Sequence, residues 1–413
     1  MTLSAIQNID TLNSFYDLMA QTRSVRSAIV CRLINNTTDA SHINALKNAL
    51  RTLKACLTDD YTARLKIDAS AYVDADLTYE ITELEKDLFY LEKGEDQFIA
   101  SLESQPSENQ DVTVPEFAEQ VRQGVALLKG KHFNCFITDR DGTVNNYCGR
   151  YRSSVQSVYN AMFLTRFAKN CVSSPIIITS APLKAPGIVD VSTIPEKTFI
   201  LAASKGREFI NLAGKRQSYP IDAHQQDCIK RLNLELTQLV KDPAYTIFAL
   251  IGSGLQLKFG QTTIARQDIN GSVSQAESED FLALVKMLVK KADPDETIFR
   301  IEDTGLDIEI ILTVADHTNT DKPRDFDKAD GVRYLNTELN LNMAQGPHLV
   351  CGDTGSDVPM LEAALAYNQD VHAVFVTDQK ELAERVKAVC PNALIVTEPD
   401  ILVTILNSLA SSL

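Results

Sequence analysis

The residues with the clearest chemical potential are carboxylates that directly follow a short apolar run. Residues 133–138 are mostly apolar and lead into Asp139 and Asp141, with Gly142 next. In an open α/β sheet ligands bind at the carboxyl ends of the strands, so both acids lie where a site is expected. Two acids at i and i+2 can lie close together in different environments. One can then attack a substrate while the other transfers a proton.

A second acidic motif follows another apolar run. Residues 348–351 lead into Gly352 and Asp353, and Asp357 comes four residues later. Oxygen ligands at a strand end suit a hard cation such as Mg²⁺ better than zinc. Several carboxylates that converge without a cation would repel one another. The two motifs together therefore predict a Mg²⁺ site.

Two further features lie between the acidic motifs. The apolar run 175–178 ends in Thr179 and Ser180, whose hydroxyl groups could bind an anion beside backbone N–H groups. Lys328 precedes the second motif and could neutralise negative charge there. Each feature alone also fits a turn, a helix cap or a solvated surface. Their order along the chain, each at a predicted strand end, favours one shared site.

The spacing of apolar residues predicts the elements that position these groups. Residues 1–105 are interpreted as helix almost throughout, with heptad-like spacing in 43–57 and 77–102, which favours a bundle with coiled-coil-like packing. Residues 104–114 resemble a linker. Alternating strand and helix patterns then predict a parallel, doubly wound α/β sheet. The predicted strands are 133–138, 175–179, 198–202, 348–351, 373–377 and 394–396.

A different pattern interrupts the predicted sheet. Residues 215–320 predict an inserted α+β module with one helix, 277–291, and five strands: 246–251, 255–259, 262–266, 297–301 and 308–313. The predicted domains are therefore a helical domain (1–105), the first part of the core (106–214), the inserted module (215–320) and the second part of the core (321–413).

Composition narrows the classes of function. The chain has 413 residues and a formal net charge of −15, which argues against nucleic acid and anionic membranes as partners. Its eight cysteines are scattered and its six histidines do not cluster, so we expect reduced thiols in the cytoplasm and no zinc site. We also expect neither a secretory leader nor a membrane-spanning helix.

The order of the motifs resembles the haloacid dehalogenase superfamily of phosphatases. Over residues 115–413 the chain resembles more closely the trehalose-6-phosphate phosphatase family of the roundworm type, which also has bacterial members. The stretches that carry the resemblance are DRDGTVNNYCGRYRSSVQSVYNAMFLTRFAKN, SAPLKAPGIVDVSTIP, GREFINLAGKR, FALIGSGLQLKFG and GDTGSDVPML. The resemblance implies a Rossmann-like core, an inserted C2-type cap and the N-terminal helical domain.

The resemblance also implies roles for the acidic motifs. Asp139 would attack phosphorus and form an aspartyl-phosphate, and Asp141 would act as the acid and then the base. Mg²⁺ would be held by Asp139, the backbone carbonyl of Asp141 and Asp353, with support from Asp357.

Ser180 would bind the phosphate, with Thr179 as the alternative one residue earlier. Lys328 would pair with the phosphate and Asp139. The family usually has glycine where Ala329 follows this lysine, so Lys322 competes for the role, although the sequence after Lys328 fits the family pattern better.

Polar side chains of the cap and of the neighbouring core are the candidates for recognising the sugar. Alternating charges on strands are also typical of solvated faces, so each assignment has that alternative. The candidates are Lys205, Gly206 and Arg207 in the core, and Gln256, Lys258, Arg266, Asp307 and Glu309 in the cap.

The expected function is Mg²⁺-dependent hydrolysis of trehalose 6-phosphate. The alternatives are another sugar phosphate, such as sucrose 6-phosphate or a glycosyl-glycerate phosphate, a phosphate-transferring mutase, and a scaffold protein with an inactive core. The N-terminal helices could pack on themselves, dock a partner or mediate self-association.

Overall fold

A computed structural model describes residues 8–67, 71–104, 116–314 and 324–411. It contains an N-terminal helical part, a central sheet flanked by helices and an inserted module with its own sheet. The predicted α/β fold with a mostly parallel sheet is confirmed. A membrane-spanning helix is not found in the described part of the chain, since the helices there are too short or too polar for one.

The N-terminal part combines four helices with a small antiparallel sheet of order β1-β2-β3. Its elements are α1 (Leu12–Ile34), α2 (Ala40–Ala55), β1 (Leu57–Asp59), β2 (Thr62–Lys66), β3 (Tyr72–Asp76), α3 (Thr78–Lys93) and α4 (Glu95–Glu103). The prediction of helix almost throughout is therefore wrong for the sheet. Buried and exposed side chains alternate along β2 and β3, which is the period of a strand with one covered face.

The predicted helix over 77–102 is also interrupted. α3 ends and α4 begins at Gly94, whose φ is +83°. Glycine adopts that left-handed conformation without the steric cost that a Cβ brings, so the chain turns there and starts a second helix.

The remaining elements follow in chain order. The helices are α5 (Phe117–Leu128), α6 (Val158–Cys171), α7 (Ile188–Val191), α8 (Ala223–Leu239), α9 (Gln275–Ala292), α10 (Lys328–Leu339), α11 (Val358–Tyr367), α12 (Lys380–Val389) and α13 (Pro399–Ser411). The strands are β4 (Phe133–Thr138), β5 (Val172–Ile178), β6 (Ile200–Ala203), β7 (Glu208–Ile210), β8 (Arg216–Ser218), β9 (Leu255–Lys258), β10 (Gln261–Ala265), β11 (Phe299–Asp303), β12 (Asp307–Leu312), β13 (His348–Gly352), β14 (Val371–Val376) and β15 (Leu394–Val396).

The core sheet has the order β15-β14-β13-β4-β5-β6-β7-β8. β15 to β6 run parallel, while β7 and β8 pair antiparallel at one edge. Successive residues of β4 face opposite sides, so Phe136 packs in one apolar cluster and Ile137 in the other. β8 extends the sheet past the predicted domain boundary at residue 214. The domain boundaries themselves stay predictions.

The inserted module pairs a four-stranded antiparallel sheet, of order β11-β12-β10-β9, with the helices α8 and α9. Only one of these helices was predicted, although buried Cys228, Ile229, Leu232 and Leu236 form a helical stripe on α8. The predicted strand 246–251 is wrong, since residues 246–249 form a short 3₁₀ helix. A turn fixes that segment, because Thr246 Oγ1 donates to the carbonyls of Val240 and Asp242, 3.0 Å away in each case.

The N-terminal part packs against the core of its own chain. α1 and α3 contact α6, and α4 contacts α5. Most of the apolar residues of 77–102 on which the coiled-coil prediction rests are buried, including Leu77, Ile81 and Leu84 at 0% exposure, and Leu91 is half-buried. That face is therefore covered within the single chain.

Candidate active site

The acidic motifs meet at the carboxyl ends of β4 and β13, which are neighbouring parallel strands. Asp139 directly follows β4, and Asp353 directly follows β13. Asp357 lies immediately before α11, and its Oδ2 accepts hydrogen bonds from the backbone N–H groups of Asp353 at 3.0 Å and Thr354 at 2.9 Å. One carboxylate oxygen from each of the three lies within 4.8 Å of the others, so the predicted convergence is present.

Gly142 allows two of these motifs to approach each other. Its φ is +84°, and a Cβ at this position would lie 2.2 Å from Oδ2 of Asp353. The hydroxyl of Thr143, the next residue, donates to Oδ1 of Asp353 at 2.7 Å. The turn after β4 thus both makes room for Asp353 and orients it.

Lys328 is the cation of this cluster. It is the first residue of α10 and 3% exposed, and its Nζ donates to Oδ1 of Asp139 at 2.6 Å and to Oδ1 of Asp357. Burial alone would lower the pKa of Lys328, but attraction to the two carboxylates outweighs burial and raises the pKa. The competing candidate, Lys322, lies outside the described residues.

The cluster carries more acidic than basic groups. Burial, with repulsion from Asp357 and Asp141, raises the pKa of Asp139 to about 7 despite Lys328. Burial and repulsion from Asp139 and Asp357 raise the pKa of Asp353 to about 8. Burial acts in the same direction on Asp357, but Lys328 and backbone N–H groups outweigh it and lower that pKa. Three carboxylates facing one lysine, with only oxygen donors, fit a divalent cation such as Mg²⁺.

Asp141 is held apart from the three clustered acids. Its Oδ1 accepts hydrogen bonds from Arg140 Nη1 and from the Ser154 hydroxyl, the latter at 2.8 Å. Arg140 is itself buried and also donates to the Ser154 backbone carbonyl at 2.5 Å. Asp141 therefore has a fixed orientation, with Oδ2 making no hydrogen bond to the residues that the structure describes.

The N-terminal part supports the loop that follows Asp141. Asn145 donates through Nδ2 to the Tyr79 hydroxyl at 3.1 Å, and Asn146 donates to Oε1 of Glu83 at 2.9 Å. Arg150 forms an ion pair with Glu80 at 3.3 Å. Sequence reasoning missed these contacts. The consecutive asparagines beside the first acidic motif are the signal that could have indicated them.

Ser180 and Thr179 differ in how free their hydroxyl groups are. Thr179 is buried, and its Oγ1 accepts the N–H of Ala181 at 3.2 Å. Ser180 is half-buried, and its hydroxyl makes no hydrogen bond within the described ranges. Ser180 is thus the hydroxyl that is available to a ligand at the end of β5.

The core residues predicted to contact the sugar have different roles in the structure. Arg207 is buried and donates to the carbonyls of Gly260 at 2.5 Å and Leu312 at 2.7 Å, both in the inserted module. Burial lowers its pKa to about 10. These bonds join the core to the module, so the prediction that Arg207 contacts the sugar loses its support. Lys205 stays half-buried.

Gly206 has a packing role that the sequence does not show. Its φ is +94°, and a Cβ there would lie 2.5 Å from Cα of Gly331, one turn after Lys328 on α10. Glycine at both positions therefore lets the 204–206 turn lie against the start of α10.

The predicted residues of the inserted module fall into two groups. One face of its sheet carries Gln256, Lys258 and Glu309. Burial lowers the pKa of Lys258 to about 8; the nearby charge of Lys205 acts in the same direction, whereas Glu309 and Asp307 oppose it. Asp307 accepts a hydrogen bond from Ser253 at 2.9 Å.

Arg266 belongs to the other group. Its guanidinium donates to Ser278 of α9 at 2.9 Å and to Asp303 at 2.6 Å. The predicted sugar contact of Arg266 therefore has no support, because the donors are committed to the helix side of the module.

Comparison with known proteins matches both ends of the chain to one family. A family model of the trehalose-6-phosphate phosphatase C-terminal part matches residues 136–402, and a model of that enzyme's N-terminal helical bundle domain matches residues 11–108. The trehalose-phosphatase of Brugia malayi is 28% identical over 92% of this chain and 82% of its own length.

Other relatives are longer than this chain. The alpha,alpha-trehalose-phosphate synthase (UDP-forming) 2 of Aphelenchoides avenae is 34% identical over 95% of this chain but 31% of its own length. The chain thus spans about a third of the length of such relatives.

Solved structures are more distant. The match to the structure titled "Crystal structure of trehalose-6-phosphate phosphatase related protein" covers 67% of this chain and 97% of that one, at 13% identity and a TM-score of 0.45. The two matching family models, by contrast, span most of the chain. The resemblance inferred from the motifs is therefore confirmed, and the chain belongs to the trehalose-6-phosphate phosphatase family.

Proposed function

We propose that this protein hydrolyses trehalose 6-phosphate to trehalose and inorganic phosphate, with Mg²⁺ as its cofactor. The observation that carries the proposal is the cluster of buried Asp139, Lys328 and Asp357 with half-buried Asp353 in a chain of this family. A buried nucleophile beside a lysine and a cation site is suited to phosphoryl transfer, in which positioning and charge neutralisation provide most of the catalysis.

In the first step, a carboxylate oxygen of Asp139 attacks phosphorus and the bond between phosphorus and the sugar oxygen breaks. Asp141 donates a proton to the departing oxygen, which leaves as the sugar hydroxyl. Lys328 holds Asp139 in place through its 2.6 Å hydrogen bond and lies close enough to offset the negative charge of the phosphate. Ser180 donates its hydroxyl to a phosphate oxygen.

In the second step, water attacks the phosphorus of the aspartyl-phosphate. Asp141 accepts the proton of that water, the bond between phosphorus and the Asp139 oxygen breaks, and phosphate is released. Mg²⁺, held by Asp139, the backbone carbonyl of Asp141 and Asp353, with Asp357 in support, would offset the charge that develops on the phosphate oxygens. Both proton transfers require Asp141 to present an oxygen to the substrate, and Oδ2 is the oxygen that accepts no hydrogen bond from the described residues.

Three finer points belong to the same proposal. Lys258, Glu309 and Gln256 bind the sugar from the inserted module, which acts as a cap. The protein works in the cytoplasm. Self-association through the N-terminal helices is proposed only for surfaces other than the apolar face of α3, which is buried within the single chain.

The test is phosphate release from trehalose 6-phosphate, measured with Mg²⁺ and with a chelator. We expect turnover only with Mg²⁺, and a clear preference for this substrate over sucrose 6-phosphate, a glycosyl-glycerate phosphate and glucose 6-phosphate. Metal-dependent turnover of another member of the panel would overturn the substrate assignment but keep the chemistry. A product that retains its phosphate would instead indicate a mutase.

Two variants separate the chemistry from folding. Asp139→Asn should abolish turnover of every substrate, because the amide cannot form the aspartyl-phosphate. Asp378→Asn is the matched control, since Asp378 is an exposed carboxylate in the loop after β14, on the same sheet. Substantial activity in a folded Asp139→Asn protein would contradict the assigned nucleophile.

A further inference from the structure

The cap sheet carries a row of polar side chains that extends beyond the residues already assigned. In the antiparallel register, Thr263 on β10 lies opposite Gln256 on β9 and Glu309 on β12. Gln261 lies opposite Lys258 in the next such position on the same face. Directly opposed residues in antiparallel strands point to the same face, so all five side chains share one surface.

That surface is the one opposite the helices of the cap. Thr262, which lies between Gln261 and Thr263, turns to the other side and donates its hydroxyl to Asn233 of α8. Because side chains alternate along a strand, Gln261 and Thr263 face away from α8.

The core contacts the cap sheet at the turn between β9 and β10, next to Lys258 and Gln261. The N–H of Phe259 donates to the Ser204 hydroxyl at 2.9 Å, and Arg207 donates to the carbonyl of Gly260. Lys205, between these two core residues in sequence, is among the charges that act on Lys258. The polar surface thus adjoins the side of the core that carries Lys328 and the clustered acids.

Two polar groups of this surface are buried without a hydrogen-bond partner. Gln261 is 4% exposed and Thr263 is 1% exposed. Neither Nε2 of Gln261 nor Oγ1 of Thr263 has a partner within the described ranges. Buried polar groups in folded proteins almost always have a hydrogen-bond partner, so two exceptions on one surface need a physical explanation.

We propose that Gln261 and Thr263 are sugar-binding residues that pair with substrate hydroxyl groups when the cap holds the substrate. Gln261 donates through Nε2, and Thr263 donates or accepts through its hydroxyl. The pairing makes both residues determinants of specificity, because a site built to bind a hydroxyl group discriminates strongly against a substrate that lacks it. This inference rests on the proposed function, since it deepens the account of the same site.

The experiment compares two substrates in three variants. Gln261→Leu and Thr263→Val remove the polar atoms with little change of volume. We expect each to lower kcat/KM for trehalose 6-phosphate about tenfold or more, mainly through KM, since one lost hydrogen bond in a dry site has an effect of this order. The kcat/KM for 4-nitrophenyl phosphate, which has no sugar, should stay unchanged.

Thr262→Val is the matched control. It makes the same substitution on the same strand but on the helix side, so it should leave the ratio of the two kcat/KM values at the wild-type level. Equal ratios in the Thr262, Thr263 and Gln261 variants would overturn the inference. If the wild type turns over 4-nitrophenyl phosphate but not trehalose 6-phosphate, the proposed function fails instead.

Conservative substitutions cover the case in which a variant does not fold. Thr263→Ser keeps a hydroxyl group and should restore the preference for the sugar phosphate, whereas Thr263→Ala should not. Binding of trehalose to the wild type and to both of these variants, measured by calorimetry, gives a readout that is independent of turnover. Loss of the preference in Thr263→Ser as well as in Thr263→Ala would argue against a hydroxyl contact.

Discussion

Replacing Asp353 by asparagine should stabilise the folded protein when no divalent cation is present. The carboxylate is half-buried, and burial with repulsion from Asp139 and Asp357 raises its pKa from 3.8 to about 8. The unfolded chain ionises this group near pH 4, so above that pH its ionisation opposes folding. This destabilisation of the folded state is absent below about pH 4, grows as the pH rises, and reaches its full size near pH 8.

The size of the effect follows from the pKa shift and its causes. One pKa unit corresponds to about 1.4 kcal/mol, so the shift sets an upper limit of about 6 kcal/mol on the free energy involved. Repulsion between Asp353 and Asp139 is shared by both groups and cannot be assigned wholly to one of them. The asparagine oxygen can still accept the Thr143 hydrogen bond. We therefore expect stabilisation of about 2 kcal/mol at pH 8 and about a quarter of that at pH 5.

Urea unfolding of the wild type and of Asp353→Asn measures this difference, at both pH values, with a chelator and with Mg²⁺. A ligand that binds only the folded state stabilises it, so Mg²⁺ should raise the free energy of unfolding of the wild type much more than that of the variant. Asp378→Asn is again the control, expected within about 0.5 kcal/mol of the wild type. A variant that is less stable than the wild type at pH 8 in the chelator, or equally shifted at pH 5, would refute the reasoning.

Three further predictions concern the same site. Lys328→Met should lower the free energy of unfolding by about 3–5 kcal/mol in chemical denaturation, because it leaves buried carboxylates without their cation; a loss below about 1 kcal/mol would contradict the ion pairs. Gly142→Ala should weaken the binding of Mg²⁺, seen as a higher concentration of Mg²⁺ for half-maximal rate, since the new Cβ would lie 2.2 Å from Oδ2 of Asp353 and displace that side chain; an unchanged half-maximal concentration would contradict this role of the glycine. Tyr79→Phe should lower kcat several-fold with little change in KM in steady-state kinetics, because Asn145, in the loop after Asp141, loses the one of its acceptors that lies in the N-terminal part; an unchanged kcat would show that the loop does not need this contact.

The core of the site could be predicted because it depends on local sequence. β4 and β15 have the bounds that their apolar runs predicted. Once these runs are interpreted as parallel strands, the acids that follow β4 and β13 must reach the same edge of the sheet. The convergence of Asp139 and Asp353 could therefore be predicted from the sequence without any knowledge of side-chain contacts.

The small sheet of the N-terminal part was harder to foresee. β2 and β3 bury only two side chains each, in segments of five residues. An alternation of apolar and polar residues over only five positions is a weak signal for a strand, and the segments on both sides of it have strong helical spacing. Helix α8 is different, because its apolar residues already have helical spacing in the sequence, and a helix could have been predicted there.

The hydrogen-bond and ion-pair partners of charged groups that are distant in the chain could not be predicted from sequence. Arg207 and Arg266 both lie where a polar ligand was expected, but one joins core and cap and the other anchors α9. A sequence shows that an arginine is present near a site. Which carbonyl or carboxylate lies across from it depends on elements that are distant in the chain.

The N-terminal part also provides a helix cap and an ion pair to elements of the core. The N–H of Val158, the first residue of α6, donates to Oδ1 of Asp87 on α3 at 2.6 Å, so this helix is capped from another part of the chain. Lys86 of α3 pairs with Asp400 of α13 at 2.6 Å. Removal of the N-terminal part would leave α6 without its cap and Asp400 without that lysine.

These shared bonds have a consequence for how the molecule unfolds. One apolar cluster includes residues of α1 and α3, of the core helices and of the cap helix α9. Segments that share caps, ion pairs and a core lose their stability together. We therefore expect a single calorimetric transition whose measured enthalpy equals its van't Hoff enthalpy, and no separate melting of the helical part.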